Sequence, residues 1–229
     1  MKGLVKSMER NIRMEDISDG KLYGNNDMVK ADTGNCQGCS ACCRGMGKSI
    51  ILDPFDIYHL TIHLHKSMEE LLNTYIELNV VDKIVLPNLK MAGKEEACSF
   101  LNEEGRCSIH EFRPGMCRLF PLGRFYENET FQYFIQIHEC KKENLSKVKV
   151  KKWIGVENIR KYEAFINRWH YFQKDLQKRI NESTEETFIK KVSMYVLQNF
   201  YLKPYEEDRD FYEQFEERLQ EAYENIKQW

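Results

Sequence analysis

The stretch Cys36-Gln37-Gly38-Cys39-Ser40-Ala41-Cys42-Cys43 decides how this chain is read. Two residues between cysteines is the spacing that turns both sulfurs toward one metal. The backbone folds tightly there and offers its amides to the sulfurs, and Gly38, Ser40 and Ala41 are small enough to permit it. Two overlapping steps of this kind present Cys36, Cys39 and Cys42 together. Cys43 follows Cys42 directly, and neighbouring side chains point apart, so Cys43 is expected to serve a different iron or a second site.

A second group follows: Cys98, Cys107, Cys117 and Cys140. Cys98–Leu101 and Arg106–Ile109 read as a hairpin turned by Asn102-Glu103-Glu104-Gly105. Cys117 comes after Arg113-Pro114-Gly115-Met116, a turn that aims its side chain inward. Cys140 ends a second hairpin, Leu122–Tyr126 against Thr130–His138. Phe131, Tyr133, Ile135 and Ile137 alternate there as in a half-buried strand.

The chain has 229 residues, a net charge of −2, and 8 cysteines, all between Cys36 and Cys140. The near-zero charge gives no support to general nucleic-acid binding. No apolar run is long enough to span a membrane, and the N-terminus lacks the apolar core of a signal peptide. The chain therefore reads as cytoplasmic. Thiols stay reduced there, and clustered cysteines bind metal or do redox chemistry rather than form disulfides.

Four thiolates suit a 4Fe-4S iron–sulfur cluster, bound by runs of cysteines two residues apart, or a tetrahedral zinc ion. Two zinc ions sharing all the thiolates also satisfy the count. Either centre carries net negative charge, which donors and cations must offset. Arg44, Lys48, Arg106, Arg113, Arg118 and Arg124 are the candidates by position.

Three stretches follow from this reading: an N-terminal arm over 1–35, a cysteine-cluster metal-binding domain over 36–149, and a helical region over 150–229. Asp53 caps a helix over Phe55–Leu64, with Pro54 at its first turn. Ser67-Met68-Glu69-Glu70 is a capping box for a helix carrying Leu71, Leu72, Tyr75 and Ile76. Ser49–Leu52 and Val80–Leu86 read as strands, the latter ending at Pro87. Ile159, Tyr162, Phe165, Ile166, Trp169, Phe172, Leu176 and Ile180 recur at helical spacing. Ser183-Thr184-Glu185-Glu186 is a second capping box, and Phe211, Phe215, Leu219, Tyr223 and Ile226 mark a last helix beyond Pro204. The fold class is α+β: a small cysteine-rich core with short hairpins, packed with helices.

CQGCSACC and ACSFLNEEGRCSIHEFRPGMCRLFPLG together resemble the CxxCxxCC cysteine-cluster family, described as zinc- or iron-chelating. The resemblance implies Cys36, Cys39, Cys42, Cys43, Cys98, Cys107 and Cys117 as metal ligands, and position and even count add Cys140. A more distant resemblance, to flagellin lysine-N-methylases, implies an iron–sulfur site and protein methylation as an alternative activity. Metal storage or delivery is another. A protein partner is possible but not identified by any motif. His59, His63 and His65 lack an HExxH context, while His110 and His138 sit beside cysteines as ordinary structural residues or substitute ligands. Gly47-Lys48-Ser49 lacks the first glycine of a phosphate-binding loop. The basic run Lys141, Lys142, Lys147, Lys149, Lys151, Lys152 could face an acidic partner.

Overall fold

The structure is a computed structural model that describes residues 13–34, 36–37, 39–183 and 185–228. In chain order it holds α1 (Met14–Ile17), β1 (Met28–Asp32), α2 (Pro54–Leu64), α3 (Met68–Thr74), β2 (Ile76–Val81), β3 (Ile84–Leu89), β4 (Met91–Ala92), β5 (Ala97–Cys98) and α4 (Gly115–Leu119). Then come β6 (Leu122–Glu127), β7 (Thr130–Ile135), β8 (Ser146–Lys149), α5 (Val150–Ile154), α6 (Ile159–Glu182), α7 (Glu186–Leu197) and α8 (Phe211–Lys227). Helices and short antiparallel hairpins make it α+β, with a helical C-terminal part. Among the described residues no helix is long and apolar enough to cross a membrane. The chain divides into two compact units.

The first unit comprises Ile51–Asn88 and Lys161–Trp229, with the first nine residues, which lie outside the described ones. Its core is aromatic. Phe165, Phe172, Phe200 and Phe215 are at most 2 % exposed. The Phe165 and Phe215 rings meet edge to face at 4.6 Å, a favoured quadrupole arrangement. The helical spacing read for α6 is the spacing of its buried face. Asp53 and Ser67 each form the full capping box at the starts of α2 and α3.

Four local expectations give way here. The single strand over Val80–Leu86 is two, because Asp82 and Lys83 take left-handed φ values of 48° and 69° and turn the chain between β2 and β3. Pro87 lies within β3 rather than ending it, and its carbonyl accepts from Leu52 N at 2.9 Å. Ile76, 1 % exposed, opens β2 rather than continuing α3. The expected Ser183–Glu186 capping box does not form: Ser183 Oγ accepts from Glu185 N at 3.2 Å, and Thr184 lies outside the described residues.

The second unit, Arg10–Ile50 and Leu89–Arg160, holds every cysteine. The β6–β7 hairpin forms as read, turning at Asn128 and Glu129 with φ of 51° and 59°. Gly123 faces Phe134 so closely that a Cβ there would stand 2.2 Å from the ring. The reading placed Met28–Asp32 in an irregular arm, yet it pairs as β1 with β8. Residues 1–12 of that arm lie outside the described ones.

The β1–β8 ribbon buries Val29 and Ala31 and turns Lys30, Lys147 and Lys149 outward. Lys30 stands directly across from Lys147, a like-charge pair that weakens the ladder. Lys147→Glu is expected to stabilise the protein by about 0.5 kcal/mol, measured by chemical denaturation at low salt, with the gain shrinking at high salt.

Candidate metal centre

All eight thiols are free and half-buried. Thr33 Oγ1 accepts from Cys36 N at 3.1 Å and lies 3.2 Å from Cys36 Sγ, and Cys36 adopts a left-handed φ of 55°. Cys39 N then donates to Cys36 O at 3.0 Å, closing the first step. Gly38, read as making that step possible, lies outside the described residues. Ala41–Cys43 forms a turn of 3₁₀ helix, with Cys43 N donating to Ser40 O at 2.9 Å.

Sequence-distant elements then close on this run. An antiparallel bridge between Arg44 and Ala97 brings Cys43 alongside Cys98. Cys98 itself pairs with Met91 in the β4–β5 ladder, so the expected hairpin between Cys98–Leu101 and Arg106–Ile109 shrinks to one bridge, Leu101 to Cys107. The reason is a tight turn. Asn102 Oδ1 accepts from Arg106 N at 2.7 Å, and Gly105 takes a φ of 72° that a side chain would strain. Cys117 sits in α4. The Cys140 loop is drawn to the run by Lys142 Nζ, which donates to Gln37 O at 2.6 Å.

Electrostatic neighbours show how the thiols group. Cys140 feels Cys36, Cys39 and Cys42. Cys43 feels Cys107 and Cys117 as well as Cys42, and Cys98 feels Cys107 and Cys42. Cys36, Cys39, Cys42 and Cys140 line a small open cleft of about 20 Å³ with Thr33, Glu139, Lys142 and Trp153. The adjacent Cys42 and Cys43 thiols stay in hydrogen-bond contact rather than pointing apart as adjacency implied; Cys140 lies with the first run, and Cys43 lies near Cys107 and Cys117 as well as Cys42. Among the described residues, no three Cys, His, Asp or Glu side chains stand already closed around a single ion.

The donors fit a thiophilic metal. The amides of Phe100, Ile109 and Lys142 each donate to the sulfur two residues earlier, on Cys98, Cys107 and Cys140. These bonds favour the thiolate, as a metal-bound sulfur requires. Burial opposes them and pushes all three thiols above the ordinary value. The Cys43 thiol donates to Cys42, which lowers Cys42 to about 7, with help from Arg113, and raises Cys43.

Protons therefore compete with metal at Cys98, Cys107 and Cys140. Affinity is expected to fall as pH drops, about tenfold per pH unit for each proton displaced. Competition against a chromogenic chelator between pH 8 and 6 measures this, and an affinity independent of pH would contradict thiol ligation.

Of the basic residues singled out by position, Arg113 is the one whose charge favours the thiolates of Cys42 and Cys107. Arg106 Nη1 donates to Cys36 O at 3.3 Å. Arg44 pairs with Glu95, Arg118 donates to the Glu111, Ile154 and Gly155 carbonyls, Arg124 lies over the Phe131 ring, and Lys48 is exposed. His110 stands 3.3 Å from Arg113 Nη1, and burial and that guanidinium hold its pKa below the ordinary value. His59 and His63 stack on α2 in the first unit. Sequence reasoning missed Thr33 and Trp153. A threonine three residues before a cysteine carries no signal of its own, and Trp153 enters from α5, whose indole donates to Phe120 O at 3.2 Å.

No curated protein and no solved structure matches the chain. Residues 35–148, about half the chain and all of the cysteine-bearing stretch, match a family described as "Putative zinc- or iron-chelating domain". With that match, and with thiols from five separate segments in one unit, the chain belongs to the CxxCxxCC family of zinc- or iron-chelating domains.

Proposed function

We propose that the cysteines hold resident metal–thiolate chemistry, and that Cys36, Cys39, Cys42 and Cys140 bind an iron–sulfur cluster of the 4Fe-4S kind. The observation that carries this reading is that Cys36, Cys39 and Cys42, two residues apart, are joined by the remote Cys140 in one cleft. Three close cysteines and a distant fourth is the ligand pattern of ferredoxin-type clusters, in which the cysteine beyond the run serves another centre. Cys43 has that position here.

A bound cluster supplies one-electron transfer. The protein's own groups hold and tune it. The cysteines ligate, Arg113 offsets negative charge, the amides of Phe100, Ile109 and Lys142 donate to sulfur, and the indole of Trp153 and ring of Phe120 limit water at the cleft. A reducing cytoplasm suits free thiols.

Purification without oxygen is expected to give brown protein containing iron and acid-labile sulfide. Colourless protein with stoichiometric zinc would replace the cluster by zinc. Protein with neither metal would end the reading.

A further inference from the structure

We infer that β2 is a docking edge for a second copy of this chain. The two β2 strands run antiparallel about a two-fold axis at Asn79, with Leu78 of each copy facing Val80 of the other. The edge belongs to the first unit, whereas every cysteine belongs to the second.

The hydrogen bonds of β3 show which groups of β2 are free to pair. Val85 N donates to Ser193 Oγ at 3.4 Å, and Pro87 O accepts from Leu52 N at 2.9 Å. Val85 and Pro87 thus point their backbone groups away from β2, and Ile84 and Leu86 point theirs toward it. Asp82 and Lys83, both left-handed, form a two-residue turn, so Val81 stands opposite Ile84 and Asn79 opposite Leu86. The backbone groups of Asn79 and Val81 are therefore engaged with β3. Those of Leu78 and Val80 point to the far edge, where no second strand pairs with β2 among the described residues.

The side chains alternate to match. Asn79, Val81, Ile84 and Leu86 are buried, whereas Leu78 is 40 % and Val80 63 % exposed. Val80 is the most exposed large apolar side chain among the described residues. Edge strands of monomeric proteins usually carry a lysine or a proline that blocks pairing. The sequence of β2, Ile76-Glu77-Leu78-Asn79-Val80-Val81, has neither. Its one charge, Glu77, is half-buried on the face opposite Leu78 and Val80 and accepts from Asn79 Nδ2 at 2.8 Å.

An antiparallel edge is complementary to its own copy under two-fold symmetry. The axis at Asn79 lets Leu78 and Val80 of the facing copies exchange N–H···O=C bonds, because theirs are the groups that point outward. Apolar then meets apolar on the exposed face, and Glu77 stands diagonal to Lys83 of the second copy, with no like charges opposed. A slip of one residue would set Leu78 against Asn79 and turn one face over. A slip of two toward the turn would set Leu78 against Asp82.

Sedimentation equilibrium of the full chain under a thiol reductant tests this between roughly 5 and 500 μM. A reversible shift from 27.4 kDa to twice that mass is expected. As concentration rises, amide exchange followed by NMR should slow at Leu78 and Val80 and stay unchanged at Asn79 and Val81. Val80→Lys should leave a monomer at every concentration with an unaltered thermal melt, since that side chain is already in water. Combining Leu78→Lys with Val80→Glu sets each lysine against a glutamate across the axis, so the dimer should return and become salt-sensitive. Combining Leu78→Lys with Val80→Lys should not restore it. A chain that stays at 27.4 kDa throughout overturns the inference. So does a dimer that survives Val80→Lys, or one whose Leu78 and Val80 amides gain no protection, because it uses another surface. The exchange pattern is read in the parent chain, so a variant that misfolds does not remove the test.

Discussion

Removing the metal is expected to abolish amide hydrogen-exchange protection across residues 39–45 and 97–117 while the amides of α6 keep theirs. The second unit has little else to hold these segments. Its β4 and β5 are two-residue strands, α4 has five residues, and the Arg44–Ala97 and Leu101–Cys107 contacts are single bridges. Phe100 and Ile109, 3 % and 2 % exposed, and the buried Pro114 are the buried apolar side chains among residues 97–117. A structural metal held by four thiolates contributes on the order of 10 kcal/mol, more than these contacts supply together. The loop ends are also far apart in sequence, so without the metal their closure entropy is unopposed. Exchange measured by mass spectrometry before and after chelation decides the matter. Unchanged protection over 97–117 would mean the apolar contacts suffice and the thiols are not structural ligands.

Arg218→Met is expected to destabilise the helical unit by about 3–5 kcal/mol. Arg218 is 7 % exposed, and its guanidinium donates to three carbonyls: Asn199 O at 2.9 Å, Lys203 O at 2.7 Å and Pro204 O at 2.6 Å. It also lies 3.6 Å over the Tyr205 ring. These carbonyls come where the π-helical turn Gln198–Leu202 ends and Pro204 offers no N–H, so the chain has few donors of its own there. Methionine fills the space but leaves the acceptors unbonded. Lysine keeps the charge but not the planar fork, so Arg218→Lys should recover only part of the loss. Guanidinium denaturation followed by far-ultraviolet circular dichroism gives both values. A methionine variant within 1 kcal/mol of the parent, on the scale of an ordinary surface change, would show that water replaces the guanidinium.

The helices were legible because their signals are local. The α6 stripe from Ile159 to Ile180 and the caps at Asp53 and Ser67 depend on residues within one or two turns. The β6–β7 hairpin was legible for the same reason, with strand alternation on both sides of a short turn. The β2–β3 turn was not, because Asp82-Lys83 lacks the glycine that marks left-handed turns. Nor was the β1–β8 pairing, which joins segments more than one hundred residues apart with no local mark of either as the other's partner.

By itself the sequence determined that this chain carries thiols at metal-chelating spacing, because two intervening residues fix how far apart sulfurs can stand on one turn of backbone. It determined the amphipathic helices in the same way. Only the tertiary structure decided which thiols lie near one another. The Arg44–Ala97 bridge and the Lys142–Gln37 bond place Cys43 with the distant cysteines and Cys140 with the run. That exchange depends on long-range register, and register is set by what each strand finds to pair with rather than by spacing along the chain.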